Sequence, residues 1–375
     1  MSINVGIIGM GFGKEFIAIY QKLSGCEVKA ISQRDEKKLN ETADFFGIKS
    51  RYTDWKSMLS DPDIDAIHVV SPILDHVDMS LASLEAGKHT ACTVPMGTSI
   101  DGLKRIIAAK KKSGKVYMMM ETAVYTREYL YCKKLLKEGK IGRIQFARGS
   151  HIQDMGLKGW PDYWLGFPPM HYGTHAISPL LDITDDVPEY VICQGSGSIN
   201  SERTAKYGSP FAVETATFRL KKTRLAVEAT RALYETVRQY RESFDLYGDK
   251  TSFEWEQIAD EGQALFEGGE AVRRLVAPDA EELLPPEIQE FTKRQHIIDQ
   301  NHVSFIQGAG HGGSHPHMAY EFISAIKEGR DSAVDAVRAA YWTGAGICAH
   351  ESAMKDGAKV YIPDFQAYYN SLGLD

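Results

Sequence analysis

Four side chains of this sequence are of the types that move a proton when an alcohol is oxidised. Tyr172 and His175 lie three residues apart in HYGTHAISP, a stretch expected to begin a helix and so to place both on one face. His151 stands in GSHIQD, and Glu121 follows the apolar run YMMM. Removal of a hydride needs a base within hydrogen-bond reach of the hydroxyl, and imidazole has an ordinary pKa near neutrality. The sequence therefore predicts Tyr172 and His175 as the central acid/base pair, with Glu121 and His151 as further catalytic residues.

A glycine-rich turn near the N-terminus is typical of dinucleotide binding. The apolar run NVGII leads into GMGFGKEF, which places Gly9 and Gly11 as a GxG pair before a helix expected to begin near Lys14. The first glycine allows a tight turn, the second lets the backbone approach a diphosphate, and the helix N-terminus attracts the anion. The third glycine of the fingerprint is absent, because Lys14 occupies its position and Gly13 comes one residue early. The surrounding strand, turn and helix still predict a dinucleotide site.

The end of the second predicted strand bears on the choice between NAD and NADP. A carboxylate there binds the ribose 2′-hydroxyl of NAD and repels the 2′-phosphate of NADP. Here Ser32, Gln33 and Arg34 occupy this position, and Asp35 comes later. Arg34 favours NADP on electrostatic grounds, unless its guanidinium only stacks on the adenine. We expect NAD, and the sequence leaves NADP open.

The elements around these residues predict two domains. Residues 1–123 alternate short apolar runs with amphipathic helices, which predicts an α/β Rossmann domain with a doubly wound parallel sheet. Residues 124–375 contain longer alternating stretches, which predict an α+β domain with an open, mostly antiparallel sheet. The acidic, proline-containing stretch 277–290 is expected to be an exposed loop.

Composition excludes several classes of partner and site. A net charge of −7 gives no basic excess for nucleic acid or an anionic membrane. The five cysteines are scattered, which favours neither a disulfide framework nor a thiolate zinc site. No apolar run is long enough for a membrane span, and the N-terminus lacks the pattern of a signal peptide. We therefore expect a cytoplasmic protein whose partner is a small molecule.

Two further motifs resemble the Gfo/Idh/MocA family of sugar and inositol oxidoreductases, and the resemblance extends over essentially the whole chain. SPILDH matches the family's TPxxxH-like segment beside the nicotinamide, and GKHTACTVP matches its GKHVxxEKP strand. The family uses the lysine of EKP in proton transfer, but Thr93 and Val94 replace the glutamate and lysine here. The resemblance thus implies an intact cofactor site that lacks one catalytic group. The residues expected to bind the cofactor are Gly9, Gly11, Phe12, Gly13, Ser32, Gln33, Arg34, Ser71, Pro72, His76, Thr93, Val94, Pro95 and Glu121.

One branch of this superfamily, the NAD-dependent α-N-acetylgalactosaminidases, also looks like EVP at this point. Members of the branch use bound NAD transiently during glycoside cleavage. The chain is similar to them at Glu121, at Tyr172 and His175, and at the HGG segment within GHGGSHPH. It departs from them where His151 replaces a tyrosine and Gln153 replaces a histidine. The resemblance therefore implies either of two reactions at one site.

Additional polar and aromatic side chains are candidates for substrate contact. The aromatic run KGWPDYWLGFPPMHY contains glycines and prolines, which favours a loop over a pocket, although aromatic clusters are as often core. The histidines of GHGGSHPH also have a metal-like spacing, but no carboxylate or thiolate accompanies them, and we expect no metal. Any single histidine is more often structural than functional. The residues expected to contact substrate are Val94, Gln153, Trp160, Trp164, His171, His311 and His315.

Three functions remain compatible with these residues. The first is an NAD(P)-dependent oxidoreductase that oxidises a ring hydroxyl of a sugar or glycoside. The second is an NAD-dependent glycoside hydrolase that oxidises, eliminates, adds water and re-reduces. The third is a non-catalytic sugar or cofactor sensor, which rests on Val94 alone. The open sheet face of the second domain predicts a homodimer or a higher homo-oligomer.

Overall fold

The computed structural model describes residues 2–157, 159–238, 240–268, 272–293 and 310–373. A first sheet has the strand order β3-β2-β1-β4-β5-β6, and its neighbouring strands are parallel. Its strands are β1 (Ile3–Ile8), β2 (Cys26–Ser32), β3 (Ser50–Tyr52), β4 (Ala66–Val69), β5 (His89–Thr93) and β6 (Tyr117–Met120). The intervening helices are α1 (Lys14–Lys22), α2 (Glu36–Phe46), α3 (Trp55–Leu59), α4 (His76–Glu85) and α5 (Ile100–Ser113). The predicted doubly wound Rossmann domain is confirmed.

Burial explains why the central strands are so apolar. Every residue of β4 and of β6 is buried, as expected for strands covered by helices on both faces. Because the strand order reverses between β1 and β4, the carboxyl ends of these two strands border the crevice where ligands bind in such sheets.

A second sheet has the order β14-β13-β12-β11-β7-β10-β9-β8-β15. Its pairs are antiparallel except β7 with β10, so the predicted open, mostly antiparallel sheet is also confirmed. The elements that follow β6 in this part of the chain are α6 (Arg127–Lys137), β7 (Ile144–Gln153), α7 (Thr174–Ile183), β8 (Pro188–Ser196), α8 (Ser201–Tyr207), β9 (Val213–Leu220), β10 (Ala226–Ala232), β11 (Tyr240–Gly248), β12 (Ser252–Glu254), β13 (Gln263–Phe266) and β14 (Val272–Leu275). The last elements are α9 (Gly310–Glu328), α10 (Ala336–Ala353), β15 (Val360–Tyr361) and α11 (Phe365–Ser371).

The chain divides into two compact units whose bounds differ from the predicted 1–123 and 124–375. The first unit comprises Met1–Tyr125, Ala280–Ala340 and Asp364–Asp375, and the second comprises Thr126–Asp279 and Tyr341–Pro363. The first boundary lies close to the predicted one. The C-terminal segments differ because apolar side chains from them complete the core around α1: Ile288, Phe291, Met318, Phe322 and Ile323.

The same packing corrects the expectation of an exposed loop at 277–290. Two short 3₁₀ turns, Glu281–Leu283 and Pro286–Thr292, occupy most of this stretch. Leu284 and Ile288 are buried in the first unit, although the acidic residues beside them are not. The acidic residues that suggested an exposed loop lie on the solvent side of the segment, whereas its apolar residues Leu284 and Ile288 are buried.

Candidate active site

The glycine turn of the first unit has the geometry that a dinucleotide requires. Gly9 has φ +92°, and a Cβ atom there would lie 2.1 Å from the Val70 carbonyl oxygen. A Cβ at Gly13 would lie 2.2 Å from the carbonyl oxygen of Gly9, so Gly13 serves close packing one residue early. Among the residues that the structure describes, a Cβ at Gly11 would meet nothing within 4 Å, and no side chain hydrogen-bonds to cap α1 at Gly13. The backbone at Gly11 is thus open to a diphosphate, which the helix N-terminus would stabilise.

At the end of β2, polar groups other than a carboxylate are placed to bind a ribose. Asp35 caps α2 by accepting a hydrogen bond from the Lys38 backbone at 3.1 Å, so it serves the helix. Ser32 is buried, whereas Arg34 is exposed. Within the described part of the chain, the side-chain oxygen of Gln33 is buried and has no hydrogen-bond partner. A ribose hydroxyl would donate to this oxygen.

His76 fixes the ends of β4 and β5 to each other. Its Nδ1 lies 2.7 Å from the Pro95 carbonyl oxygen and its Nε2 lies 2.9 Å from that of Ser71, while Pro72 precedes the turn. Burial disfavours the charged ring, but Cys92 and the two carbonyls raise the pKa of His76 to about 9. An imidazolium donates from both nitrogens, as these two acceptors require. The segment expected to contact the nicotinamide is therefore held by a buried histidine.

Beside this histidine, Thr93 and Val94 offer no side chain that acts as an acid or base near neutral pH. Thr93 lies with its hydroxyl 3.3 Å from the Val69 carbonyl oxygen, and Val94 is buried and precedes Pro95 in a cis peptide bond. Glu121, directly after β6, is fully buried, and one of its oxygens accepts a hydrogen bond from the Ala123 backbone at 3.0 Å. Glu121 thus begins the 3₁₀ turn Thr122–Val124.

In the second unit, Tyr172 and His175 are joined as predicted, and they belong to a longer chain. The Tyr172 hydroxyl lies 3.3 Å from His175 Nε2, and His175 Nδ1 lies 3.1 Å from Glu242 Oε1. The Tyr240 hydroxyl donates to Glu242 Oε2 at 2.8 Å. We call Tyr172, His175, Glu242 and Tyr240 the tyrosine–histidine–glutamate chain. Burial and the charge of Glu242 raise the pKa of Tyr240 well above its ordinary value, which keeps Tyr240 a neutral donor.

Close backbone packing places α7, and with it His175, against the sheet. A Cβ atom at Gly149 of β7 would lie 2.0 Å from the Ala176 carbonyl oxygen, so only glycine permits this approach. Gly346 of α10 does the same for the preceding turn, where a Cβ would lie 2.2 Å from the Met170 carbonyl oxygen. His175 is 3% exposed as a result.

A row of polar side chains crosses the helix-covered face of the second sheet. In the strand register, Glu242 of β11 lies opposite His151 of β7, His151 opposite Arg231 of β10, and Arg231 opposite Glu214 of β9. The His151 ring lies 4.9 Å from that of His175, edge to face. The predicted catalytic residue His151 therefore contacts the tyrosine–histidine–glutamate chain.

Arg231 is the fully buried cation of this row. It donates to the carbonyl oxygens of Tyr172 at 2.8 Å and of His151 at 3.0 Å, and to Gln153 Oε1 at 3.1 Å. Its guanidinium also lies 5.0 Å from the centre of the Tyr172 ring. Burial lowers the pKa of Arg231 to about 10, which leaves the guanidinium charged at neutral pH. One side chain thus orients three predicted site residues, including the expected substrate ligand Gln153.

His171 lies in a separate polar pair. Its ring packs 4.9 Å from that of His350, whose Nδ1 lies 2.6 Å from Glu214 Oε1. The other oxygen of Glu214 accepts from the Met170 backbone at 2.7 Å. Burial and the neighbouring His350 lower the pKa of His171 to about 3. This arrangement supports the turn that ends in Tyr172, and it places His171 outside the tyrosine–histidine–glutamate chain.

The aromatic run combines the two alternatives that the sequence left open. Trp164 is buried and packs edge-on against Tyr172, with ring centroids 4.8 Å apart. Trp160 is only partly buried, and the centroid of its ring lies 6.5 Å from that of Trp164. Trp164 therefore acts as core beneath the site, while Trp160 keeps part of its ring accessible.

His311 and His315, predicted to contact substrate, lie beside the glycine turn of the first unit. Their rings pack on Phe12 at 5.6 and 5.3 Å, and His311 Nδ1 lies 3.1 Å from His315 Nε2. His315 Nδ1 lies 3.4 Å from Glu15 on α1. Within the first turn of α9, residues 311–313 have left-handed backbone angles, so the regular part of the helix begins after them. Their immediate neighbours are cofactor-side residues.

Sequence reasoning missed Glu242, Tyr240 and Arg231. Tyr240 and Glu242 alternate along one strand and so share a face, which is the signal that could have paired them. Their proximity to His175 depends on strand pairing that the local pattern does not reveal.

Comparison with known proteins finds a family model, curated relatives and solved structures that are similar to this chain. Residues 3–121 match the model of the Gfo/Idh/MocA family, described as an oxidoreductase family with an NAD-binding Rossmann fold. A levoglucosan dehydrogenase of Pseudarthrobacter phenanthrenivorans is 32% identical over 162 residues, which cover 41% of this chain and 42% of that protein. A glycosyl hydrolase family 109 protein of Porphyromonas gingivalis is 22% identical across 97% of this chain and 84% of its own length. The solved complex of levoglucosan dehydrogenase with NADH and levoglucosan has a TM-score of 0.78 at 22% identity, covering 97% of this chain and 100% of that one.

These matches differ in the share of each chain that they cover. The match to the dehydrogenase sequence spans less than half of that protein, and the structural likeness shows the fold. No helix among the described residues is both long and apolar enough to cross a membrane.

Proposed function

We propose that the protein oxidises a ring hydroxyl of a sugar or glycoside with NAD(P), because residues 3–121 match the NAD-binding domain of the Gfo/Idh/MocA oxidoreductases. The single observation that carries the proposal is the buried chain from Tyr172 through His175 to Glu242, which supplies a base in a protein without the family's lysine. The levoglucosan dehydrogenase relative supports a carbohydrate substrate.

The residues that would hold the dinucleotide are those of the first unit. The backbone at Gly11 would approach the diphosphate, Gln33 would accept from a ribose hydroxyl, and His76 would hold the segment from Ser71 to Pro95 in place. When bound, the nicotinamide supplies the acceptor for the hydride that leaves the substrate carbon. We propose NAD as the cofactor, with NADP as the alternative that Arg34 favours.

The residues of the second unit would handle the proton. The substrate hydroxyl loses its proton as its carbon loses a hydride, and His175 is the base that receives this proton directly or through Tyr172. Arg231 and Gln153 hold the site rigid, and Trp160 offers an aromatic face to the C–H surface of a sugar. Glu121 and His151 are proposed as further polar groups of the same reaction.

A second candidate function is redox-neutral glycoside hydrolysis. The nearly full-length match to the family 109 protein favours it, as does the presence of a second imidazole, His151, beside His175. Elimination after oxidation needs a second base to remove the proton beside the new carbonyl, and His151 and Glu121 are the candidates.

One experiment separates these functions. The purified chain is incubated with NAD or NADP and with levoglucosan, inositols and aryl α-N-acetylgalactosaminides. An oxidoreductase accumulates reduced nicotinamide in proportion to oxidised sugar, whereas a hydrolase releases the phenol with no net reduced cofactor. Absence of both products with every substrate, in a chain that binds the nucleotide, would indicate the non-catalytic sensor and overturn both enzymatic proposals.

We further propose a homo-oligomer in the cytoplasm. Near the β8–β15 edge of the nine-stranded sheet, the side chains of Ile192 and Tyr361 lie on one face and are exposed, which supports packing of this face between two copies. The five cysteines are free thiols, which supports a reducing compartment. Light scattering on the purified protein, with Ile192→Asp as the comparison, tests the oligomer.

A further inference from the structure

The contacts of Glu242 define the protonation of His175. Nδ1 of His175 lies 3.1 Å from Glu242 Oε1, and Nε2 lies 3.3 Å from the Tyr172 hydroxyl. A carboxylate only accepts hydrogen bonds, whereas a phenol both donates and accepts. A carboxylate 3.1 Å from Nδ1 favours the proton of the neutral ring on that nitrogen, which leaves Nε2 as the basic nitrogen.

Glu242 is itself held by a tyrosine of its own strand and lies beside the neighbouring strand β7. The Tyr240 hydroxyl donates to its second oxygen at 2.8 Å, and the strand register places Glu242 opposite His151. Its side chain is 10% exposed and that of His175 is 4% exposed. The pair is thus shielded from water, where a fixed carboxylate orients an imidazole most effectively.

We propose that Glu242 is the positioning residue that fixes the tautomer of His175 and thereby makes Tyr172 the group that touches the substrate hydroxyl. The inference rests on the proposed oxidation. As the substrate carbon is oxidised, the Tyr172 oxygen would accept the substrate proton, and the phenolic proton of Tyr172 would pass to Nε2 of His175. The substrate C–O bond becomes a carbonyl, Tyr172 regains its hydroxyl form, and His175 becomes an imidazolium facing the Glu242 carboxylate. No charge is left without a partner.

The charged and titratable neighbours within the second unit agree with this order. Arg231 lies over the Tyr172 ring, His151 packs on His175, and Tyr240 stays a neutral donor. Arg231 donates to the backbone carbonyl of Tyr172, so the phenolic oxygen is not taken up by the guanidinium. The hydroxyl of Tyr172 therefore keeps His175 as its described partner on the protein side.

A neighbouring tyrosine–glutamate pair provides a matched control. The Tyr247 hydroxyl donates to Glu254 Oε1 at 2.9 Å, and both residues are partly buried on β11 and β12. This pair repeats the tyrosine–glutamate contact of Tyr240 and Glu242. The two glutamates differ in that Glu242 also contacts His175. Glu254→Gln thus reports the cost of neutralising a tyrosine-bonded glutamate in the same sheet.

The test measures the His175 ring directly. ¹⁵N-labelled wild type, Glu242→Gln and Glu254→Gln are compared by long-range ¹H–¹⁵N correlation, with His175→Asn used to assign the ring. We expect the Nδ1–H tautomer in wild type and in Glu254→Gln, and its loss in Glu242→Gln. An Nε2–H tautomer in wild type, or an unchanged tautomer in Glu242→Gln, would overturn the inference.

Kinetics on the same variants give the second readout. With a turning-over substrate, Glu242→Gln should lower kcat by about 100-fold or more with a smaller change in KM, because the base loses its orienting partner. The acid limb of the pH profile should also move to lower pH, because the loss of the neighbouring anion disfavours an imidazolium. Tyr172→Phe should lower kcat comparably. If no sugar reacted, the proposed function would be wrong, and the tautomer measurement would still test the role of Glu242. If Glu242→Gln kept full activity, only the inference about Glu242 would be wrong.

Discussion

The two units each contain a carboxylate joined to a histidine, and the difference between the two pairs shows what makes such a pair a site. In the second unit, Glu242 faces His175, whose other nitrogen meets the hydroxyl of Tyr172. In the first unit, Glu15 faces His315, whose other nitrogen meets His311. The first arrangement ends in a phenol, and the second ends in rings packed on Phe12 of the glycine turn. A Glu–His contact therefore indicates no function by itself. The two pairs are distinguished by the group that contacts the second nitrogen of the histidine ring.

The surroundings of the two histidines sharpen this contrast. The His315 ring packs between Phe12 and Phe16, and burial, aided by His311 and opposed by Glu15, lowers the pKa of His315 to about 4. His315 is thus neutral at physiological pH and suited to holding the turn. The His175 ring instead lies among Tyr172, His151 and Glu242, all of which are titratable.

The largest expected effect separates the two histidines by activity. His175→Ala should lower kcat by about 100-fold or more, because the base is lost, while leaving nucleotide affinity unchanged. His315→Ala, the matched variant of the other pair, should retain kcat at saturating nucleotide and weaken nucleotide binding. Initial rates and fluorescence titration with NADH measure the two quantities. Equal loss of kcat in both variants would erase the distinction between the pairs.

The next effect concerns Arg231, the buried cation beside the tyrosine–histidine–glutamate chain. Arg231→Met should lower the free energy of unfolding by about 3 kcal/mol, because the Tyr172, His151 and Gln153 oxygens lose their donor. Urea denaturation measures the change. Arg148→Met on β7 serves as the control, since its side chain is about half exposed in its pair with Asp245. Comparable losses in both variants would show that the row contributes nothing specific.

A smaller effect follows from the lowered pKa of His315. The folded state binds this proton only near pH 4, whereas the unfolded chain binds it near 6.5, so stability is full above 6.5 and is lost as pH falls through this window. Each such histidine contributes a slope of up to about 1.4 kcal/mol per pH unit. His315→Asn should reduce the slope between pH 4 and 6.5 by that amount, as measured by urea unfolding at several pH values. An unchanged slope would show that His315 is charged in the folded protein.

The smallest expected effect lies at the end of β2. Arg34 is exposed, and Asp35 is engaged at the start of α2. Arg34→Ala should weaken NADP binding several-fold and leave NAD binding nearly unchanged, because an exposed arginine contributes about 1 kcal/mol to a phosphate. Parallel titrations with both nucleotides test this. If NAD weakens equally, the guanidinium stacks on the adenine instead.

Local spacing predicted a good part of this molecule. The glycine turn follows an apolar strand directly, and Tyr172 and His175 are three residues apart, so short-range geometry was enough for both. The parallel pairing of β7 with β10 lies beyond such reasoning, since it depends on which distant strands meet. For the same reason Glu242 and Arg231 were missed, although each is the nearest support of a predicted residue. The placement of His311 and His315 beside Phe12 likewise depends on α9 returning to α1, which sequence distance conceals.

The dependence of the α1 core on Met318, Phe322 and Ile323 has a consequence during synthesis on the ribosome. The glycine turn and the first three strands emerge early, but the apolar side chains that cover α1 are added more than 250 residues after it. Until then, the apolar face of α1 remains exposed to solvent or to a chaperone. A nascent chain stopped after residue 123 should therefore aggregate, whereas one extended beyond residue 340 should close this nucleotide-binding unit.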